Sequence, residues 1–298
     1  MPDATSGTVA VIGLGNMGAE IARRLATRFD VISYDTDLDK AKRLAEAAPV
    51  QVVAGLAELS AADVAVLSLP TREASLGVVR ELSSVLAPGS VVVETSTVNP
   101  ADVIALRDLC APAGLEVVDA AILAGVAQMR LGQAAVMASG DDAAVARVTP
   151  LIETMSEDWT QVGGLGNAMA LKVIHNAVIH GVMVVLAEGL ALAHATGADP
   201  GQLVTILKDP DRGLLRPLTH RVAERMLTGS YQGGMPTEAA LKDSTLALEL
   251  AQKGHVPLFA MQSSHTVYEA AVAKGLGRFD YAAIARLWEE WGGYTFGA

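Results

Sequence analysis

Cysteine is almost absent from this chain, and its scarcity excludes two kinds of covalent or metal support. Cys110 is the single cysteine among 298 residues, so the chain cannot form an internal disulfide. Nor can it build a cysteine-based metal site, because Cys110 has no partner thiols. A lone thiol is typical of a reducing compartment, and we expect a cytoplasmic protein.

Blocks of positive charge are also lacking. The formal net charge is −11, and the lysines and arginines are spread along the chain. Because polyanions bind to a local positive field, the sequence disfavours nucleic acid and anionic membrane surfaces as partners. The amino terminus, MPDATSG, has neither the basic nor the apolar region of a secretion signal.

Long uninterrupted apolar runs are missing as well. The longest apolar stretch, residues 177–195, contains His180, Glu188 and His194. These polar side chains would be costly in lipid, so the stretch predicts a core helix rather than a membrane span.

Apolar residues as a class are nevertheless abundant, at 51% of the chain, which is enough for two domains. In the first half, short β-branched runs alternate with helical segments, the pattern of βαβ units. The predicted strands cover residues 8–13, 30–35, 63–70, 90–97, 116–120 and 133–140, and the predicted helices cover 19–28, 37–47, 72–86 and 100–110. The strands lack polar alternation, which indicates helices on both faces of the sheet. We therefore predict a doubly wound, mainly parallel α/β domain over residues 1–164.

Beyond residue 166 the β-branched runs end and every long segment has helical periodicity. The predicted helices cover residues 167–195, 200–208, 214–227, 237–253, 258–274 and 280–291. Asp280 stands where the N-cap of the last helix belongs. We predict an all-α domain over residues 165–298, whose first long helix joins the two domains.

A glycine-rich loop follows the first predicted strand and precedes a helix. Gly13, Gly15 and Gly18 form GxGxxG in the context that dinucleotide binding requires. The first glycine permits a tight turn, the second lets the backbone approach a pyrophosphate, and the third lets helix and strand pack closely. The alternative is a glycine-rich turn that binds nothing. The candidate phosphate-binding residues are Gly13, Leu14, Gly15, Asn16, Met17 and Gly18.

A carboxylate stands at the distance from this loop that NAD binding predicts. Asp35 ends the second predicted strand, and no arginine directly follows it. A carboxylate there accepts hydrogen bonds from the ribose hydroxyls and repels a 2′-phosphate, which favours NAD over NADP. The alternative is a solvated aspartate in a βα loop.

Lys172 is the candidate acid/base. It lies on an otherwise apolar helix, and Asn176 follows one turn later on the same face. An amine withdrawn from water has a lowered pKa and can exchange a proton with a substrate oxygen, which Asn176 could orient. Periodicity alone equally allows a lysine that reaches solvent and an asparagine that only packs.

Several motifs occur in a fixed order along the chain. They are GLGNMG at 13–18, LSLPT at 67–71, LAPG at 86–89 with ETSTVNP at 94–100, GxxGxxxxxKxxxN at 163–176, and LKDSTLAL at 241–248. Together they resemble the β-hydroxyacid dehydrogenase family, which includes 3-hydroxyisobutyrate and tartronate semialdehyde enzymes.

The resemblance implies an N-terminal Rossmann domain, a catalytic lysine on an interdomain helix, and a helical domain that forms dimers or tetramers. It implies that Lys172 is the catalytic lysine, that Asn176 is its partner, and that Lys242 lies over the cofactor and substrate cleft. The residues that it implies along the nicotinamide side are Leu69, Pro70, Thr71, Ser96 and Thr97.

One segment departs from the family pattern. The chain has DAAILAG at 119–125, where the family usually has DAPVSGG; Leu123 and Ala124 replace the serine and the first glycine, while Gly125 matches. In the family that turn holds the substrate carboxylate, and the leucine side chain has no donor. We expect these three residues to line a substrate site that takes a bulkier or more apolar substrate, or holds the carboxylate by other groups.

The remaining polar candidates have less support. His180 lies roughly on the Lys172 face and is a candidate for substrate contact, with packing or a dimer contact as the alternative. Arg212 and Arg216 could replace the carboxylate clamp. No histidine has metal-ligand spacing with acidic or cysteine partners, and we predict no metal site.

The sequence therefore predicts an NAD-dependent oxidoreductase that interconverts a small 3-hydroxy acid, or a related alcohol, and its carbonyl form, with Lys172 as general acid/base. One alternative is an imine or non-acid carbonyl reductase of the same fold. Lys172 disfavours this alternative, because imine reductases usually lack the lysine. The other is a non-catalytic NAD-binding protein.

Overall fold

The computed structural model of the chain describes residues 7–297, and its first part is one eight-stranded sheet. The strands are β1 (Thr8–Ile12), β2 (Asp30–Tyr34), β3 (Val50–Val52), β4 (Val64–Leu67), β5 (Val91–Glu94), β6 (Glu116–Leu123), β7 (Ala135–Gly140) and β8 (Asp158–Gln161). Their order is β3-β2-β1-β4-β5-β6-β7-β8, and every neighbouring pair is parallel except β6 with β7. The predicted doubly wound, mainly parallel sheet is confirmed.

Helices cover both faces of this sheet. They are α1 (Asn16–Leu25), α2 (Leu38–Ala47), α3 (Arg72–Leu82), α4 (Pro100–Cys110), α5 (Val126–Leu131) and α6 (Asp142–Met155). Because successive strand residues point to opposite faces, Val9 and Val11 of β1 lie in one buried core, while Ala10 and Ile12 lie in the other. Two such cores explain the apolar strands without polar alternation.

Some elements were not predicted. β3 has three residues and β8 is mostly exposed, so neither carries an apolar run, and α5 and α6 were also missed. The segment predicted as a helix over 214–227 contains a π-helical turn, Pro217–Ala223, because Pro217 lacks the N–H that a regular helix requires. The amino-terminal segment on which the secretion-signal prediction rests lies, apart from Gly7, outside the described residues.

The long helix α7 (Asn167–Ala195) follows β8. Ala168, Met169 and Lys172 in its first turns are buried, but only 11% of its most apolar 18-residue window is buried. The prediction of a core helix is therefore wrong for most of its length. Within residues 7–297, α7 is the one helix long and apolar enough, by length and composition, to cross a membrane.

The chain divides into two compact units between Ala177 and Val178, inside α7, because the first turns of that helix pack with the sheet. The second unit is helical, as predicted. It contains the rest of α7 and α8 (Pro200–Lys208), α9 (Thr237–Gly254), α10 (Ala260–Ala273) and α11 (Ala285–Gly292). Asp280 caps the turn before α11 by accepting a hydrogen bond from the Ala282 N–H at 3.0 Å, which confirms the predicted cap.

Candidate active site

The glycine-rich loop connects β1 to α1 at the carboxyl edge of the sheet. Gly13 has φ +91°, and a Cβ atom there would collide with the Ser68 carbonyl oxygen. A Cβ atom at Gly18 would collide with the Gly13 carbonyl. At Gly15 a Cβ atom would meet nothing within 4 Å. The loop thus needs glycine twice for close packing, and Gly15 leaves open space beside the helix N-terminus, which fits a bound pyrophosphate.

A cavity of about 600 Å³, the loop cavity, opens beside this turn. The predicted cofactor residues that line it are Gly13, Gly15, Asn16, Met17, Asp35, Leu69 and Pro70. The Asp35 carboxylate accepts hydrogen bonds from the backbone N–H groups of Leu14 at 2.6 Å and Asp37 at 2.8 Å. Asp35 is buried, so it is a fixed acceptor at the cavity wall rather than a solvated loop residue.

A second cavity of about 490 Å³, the lysine cavity, shares Met17, Ser68 and Leu69 with the loop cavity. Its other lining residues are Thr95, Ser96, Thr97, Ile122, Leu123, Ala124, Lys172, His175 and Asn176. Hydroxyl and amide groups come from the end of β5 and from α7, whereas the end of β6 supplies a purely aliphatic wall. The adjoining cavities give a dinucleotide room to extend from the loop towards Lys172.

Lys172 is 8% exposed, and its side chain lines this cavity. Burial lowers the pKa of the Lys172 amine, and the negative charge of Glu94 acts in the opposite direction. Asn176 is half-buried, and its side-chain oxygen lies 3.3 Å from Nδ1 of the exposed His175. A partly desolvated amine facing a cavity is suited to exchanging a proton with a bound molecule.

The first turn of α7 is anchored by two buried side chains on adjacent strands. Asp119 of β6 accepts the N–H groups of Gly166 and Met169, both at 3.0 Å. Its register partner on β7, Ser139, accepts the Ala168 N–H at 2.9 Å and donates its hydroxyl to Asp119. Since Lys172 lies one turn beyond Ala168, this anchor fixes the height and rotation of the lysine above the sheet.

Glu94, which precedes the cavity-lining residues Thr95 and Ser96, is not among the predicted site residues. It ends β5, is fully buried, and accepts the Ser96 N–H at 2.7 Å. Burial raises the pKa of its carboxyl, while the hydroxyls of Ser96 and Ser75 and the charge of Lys172 lower it. Two sequence signals mark it, since it is a carboxylate that ends an apolar strand and it is the first residue of the ETSTVNP motif.

Three other predicted site residues of the first unit line neither cavity. Leu14 is buried behind the loop, Thr71 caps α3 by accepting the Ala74 N–H at 3.2 Å, and Gly125 precedes α5. In the second unit, His180 is exposed, and Lys242 is exposed and pairs with Asp243 at 3.5 Å.

The arginines proposed as a clamp are both exposed. Arg212 pairs with Asp209 at 2.6 Å, and Arg216 is a surface residue. In the part of the chain that the structure describes, no three metal-ligating side chains cluster.

Known proteins match the whole of this architecture. Residues 8–164 match the NAD-binding domain of 6-phosphogluconate dehydrogenase, and residues 166–288 match the NAD-binding model of NADP-dependent 3-hydroxyisobutyrate dehydrogenase. The chain is 28% identical to 2-(hydroxymethyl)glutarate dehydrogenase of Eubacterium barkeri, over 96% of each chain. It is 26% identical to NAD-dependent L-serine dehydrogenase of Pseudomonas aeruginosa, over 94% of this chain and 97% of that one.

The fold is shared more widely than the sequence. An imine reductase structure from Pseudomonas sp. superposes with a TM-score of 0.84 at 19% identity, over 94% of this chain and 99% of that one. With matched models over both parts of the chain and a glycine-rich loop that fits NAD, the protein belongs to the β-hydroxyacid dehydrogenase family and is an oxidoreductase that binds NAD.

Proposed function

We propose that the protein oxidises a small 3-hydroxy acid, or a related alcohol, to its carbonyl form, with Lys172 as the general acid/base. The observation that carries the proposal is the buried Lys172 amine, which faces a cavity adjoining the cofactor cavity. When bound, NAD supplies the acceptor for the hydride that leaves the alcohol carbon. Lys172 takes the hydroxyl proton, and Asn176 orients the oxygen by hydrogen bonding. In the reverse direction Lys172 returns the proton.

We also propose that NAD is preferred over NADP. Asp35 lies at the cavity wall with both carboxylate oxygens already held by backbone N–H groups, so its charge is fixed in place. A carboxylate held there accepts ribose hydroxyls and repels a 2′-phosphate.

A second candidate function is reduction of an imine or of a carbonyl compound without a carboxylate. It is favoured by the aliphatic wall of Ile122, Leu123 and Ala124, which offers no side-chain donor to a carboxylate. The buried Lys172 disfavours this second candidate, and it equally disfavours a non-catalytic NAD-binding protein.

An initial-rate screen separates these functions. Hydroxy acids, amino acids with a β-hydroxyl and matched diols are offered with NAD or NADP, and cyclic imines and ketones are offered with the reduced cofactors. The proposal predicts that a 3-hydroxy acid or related alcohol with NAD gives the highest kcat/KM. Turnover of imines alone would establish the second candidate. Cofactor binding without turnover of any compound would contradict both.

The protein is also proposed to form a homodimer or homotetramer. Ile174, Val178, Ile179, Met183 and Val184 of α7 are each between 46% and 60% exposed. Apolar side chains exposed on several sides of one helix are typical of a helix that packs against a second chain.

A further inference from the structure

Glu94 and Lys172 are two buried groups of opposite charge type at the lysine cavity, because Lys172 lines it and so do Thr95 and Ser96, the two residues that follow Glu94. Each acts electrostatically on the other, yet no hydrogen bond joins the two side chains. Oε1 of Glu94 accepts the Ser96 N–H, whereas no well-formed hydrogen bond within residues 7–297 reaches the fully buried Oε2; the Ser75 hydroxyl, which lowers the pKa of this carboxyl, is the neutral group beside it. A buried carboxyl oxygen without a partner is costly, so its retention beside a lysine requires an explanation.

The surroundings of Glu94 leave Lys172 as the cation that it faces. Its register partner on β4 is Leu67, and its partner on β6 is Asp119. Asp119 is occupied by Gly166, Met169 and Ser139. From α3 comes only the Ser75 hydroxyl. His175, the other titratable residue of the lysine cavity, is exposed. The Asp119 carboxylate therefore holds the helix, and Glu94 is left to interact with the amine.

We propose that the Glu94 carboxylate is a positioning residue for Lys172, which it serves by stabilising the ammonium ion that forms when Lys172 takes up the substrate proton. This inference rests on the proposed function. During oxidation the alcohol O–H bond breaks and its proton binds Nζ of Lys172, while the C–H bond breaks and its electron pair leaves with the hydride for NAD. The alcohol is oxidised, NAD is reduced, and one positive charge appears on Lys172, a residue that is 8% exposed.

The charge of Glu94 offsets this new positive charge without contacting the substrate. Burial lowers the pKa of the Lys172 amine, and the Glu94 charge limits how far it falls. With Glu94 neutralised, burial acts unopposed, so the pKa of Lys172 falls further and the amine becomes a weaker base. Oε2 is the oxygen that remains for this task, because Oε1 is held by the backbone.

Competitive labelling measures this effect without a substrate. The full-length protein is treated with acetic anhydride across a pH series, and acetylation of Lys172 is followed by mass spectrometry. Only the neutral amine reacts, so the pH of half-maximal labelling reports its proton affinity. In Glu94→Gln we expect this midpoint to move to lower pH by about one unit, the low end of the effect of a nearby opposite charge.

Two variants complete the design. Glu116→Gln, on the same sheet and paired only with the surface residue Arg147, leaves the midpoint unchanged. If Glu94→Gln does not fold, Glu94→Met suits the buried position better and carries the same prediction. A midpoint that coincides with the native one in the folded variant, or an equal shift in Glu116→Gln, overturns the proposal.

Failure of this inference is distinguishable from failure of the proposed function. If turnover requires Lys172 but labelling is indifferent to Glu94, only the role of Glu94 is wrong. If labelling shifts as expected while the substrate screen shows no turnover, the charge coupling stands and the proposed function is wrong. When both succeed, the low-pH limb of kcat/KM for oxidation moves to lower pH in Glu94→Gln, in parallel with the labelling midpoint.

Discussion

At the scale of single residues, cofactor choice depends on Asp35. Its carboxylate combines two tasks, since it fixes the loop through the Leu14 N–H and faces the cavity where an adenosine ribose fits. Replacing it by asparagine keeps an acceptor oxygen for Leu14 and removes the negative charge. The variant thus separates charge from loop geometry.

We predict that Asp35→Asn raises the NADP-to-NAD affinity ratio by about tenfold or more, because a hydrogen bond to a charged group contributes roughly 1.5–3 kcal/mol and the repulsion of a 2′-phosphate disappears. Titration of protein fluorescence with each cofactor measures the ratio. Asp39→Ala, which removes an exposed carboxylate paired with Lys42, leaves the ratio unchanged. An unaltered ratio in Asp35→Asn would show that another group selects the cofactor.

At the scale of secondary-structure elements, the start of α7 determines the position of Lys172. Asp119 and Ser139 occupy three backbone donors of its first turn, so the strands β6 and β7 determine where Lys172 lies. Removing an acceptor leaves buried N–H groups without partners, at about 1–3 kcal/mol each.

Ser139→Ala, which frees one donor, is expected to lower the free energy of unfolding by about 1–3 kcal/mol, and Asp119→Ala, which frees two, by more. Urea denaturation measures both values. Ser84→Ala serves as the control, because its exposed hydroxyl bonds only the nearby Glu81 carbonyl. Equal stability of all four proteins would mean that the anchor contributes nothing. In folded Ser139→Ala, turnover should fall while NAD affinity is retained.

In the first unit, sequence patterns predict an element well where a local steric rule applies. The glycine loop at Gly13–Gly18 follows from steric rules that act within six residues, although the helix predicted from residue 19 begins at Asn16, inside the loop. The Asp119–Ser139 anchor joins residues 20 positions apart to a helix 47–50 positions further on. Glu94 meets Lys172 through the same tertiary packing. Local sequence patterns do not predict contacts between residues so far apart, so the Asp119–Ser139 anchor and the role of Glu94 could be identified only in the folded chain.

At the scale of the whole molecule, a net charge of −11 is compatible with the binding of NAD, which is itself an anion. An acidic surface disfavours extended polyanions, but a single pyrophosphate is held by backbone N–H groups and a helix N-terminus whatever the global charge. The exposed apolar surface of α7 is the other molecular-scale feature. On the proposal that a second chain covers it, the predicted core helix differs from the observed one because sequence hydropathy does not distinguish burial within a chain from burial between chains.

We predict that the protein is a dimer or tetramer in size-exclusion chromatography with light scattering at micromolar concentration. The double variant Ile179→Glu/Met183→Glu should elute as a monomer, since it places two charges on the apolar surface. Leu131→Glu, at an exposed position on α5, should leave the native assembly intact. A native protein that is monomeric under these conditions contradicts the oligomer proposal.

The central claim is that Lys172 exchanges the proton during NAD-linked oxidation, and its most direct test compares Lys172→Met with the native enzyme on the best substrate from the screen. We predict that kcat/KM falls by about 10²–10⁴-fold, the usual contribution of a general acid/base, while the NAD dissociation constant changes less than about twofold. Lys253→Met, at an exposed lysine of α9, should retain native turnover. A folded Lys172→Met enzyme that binds NAD normally and keeps most of its turnover would contradict the claim.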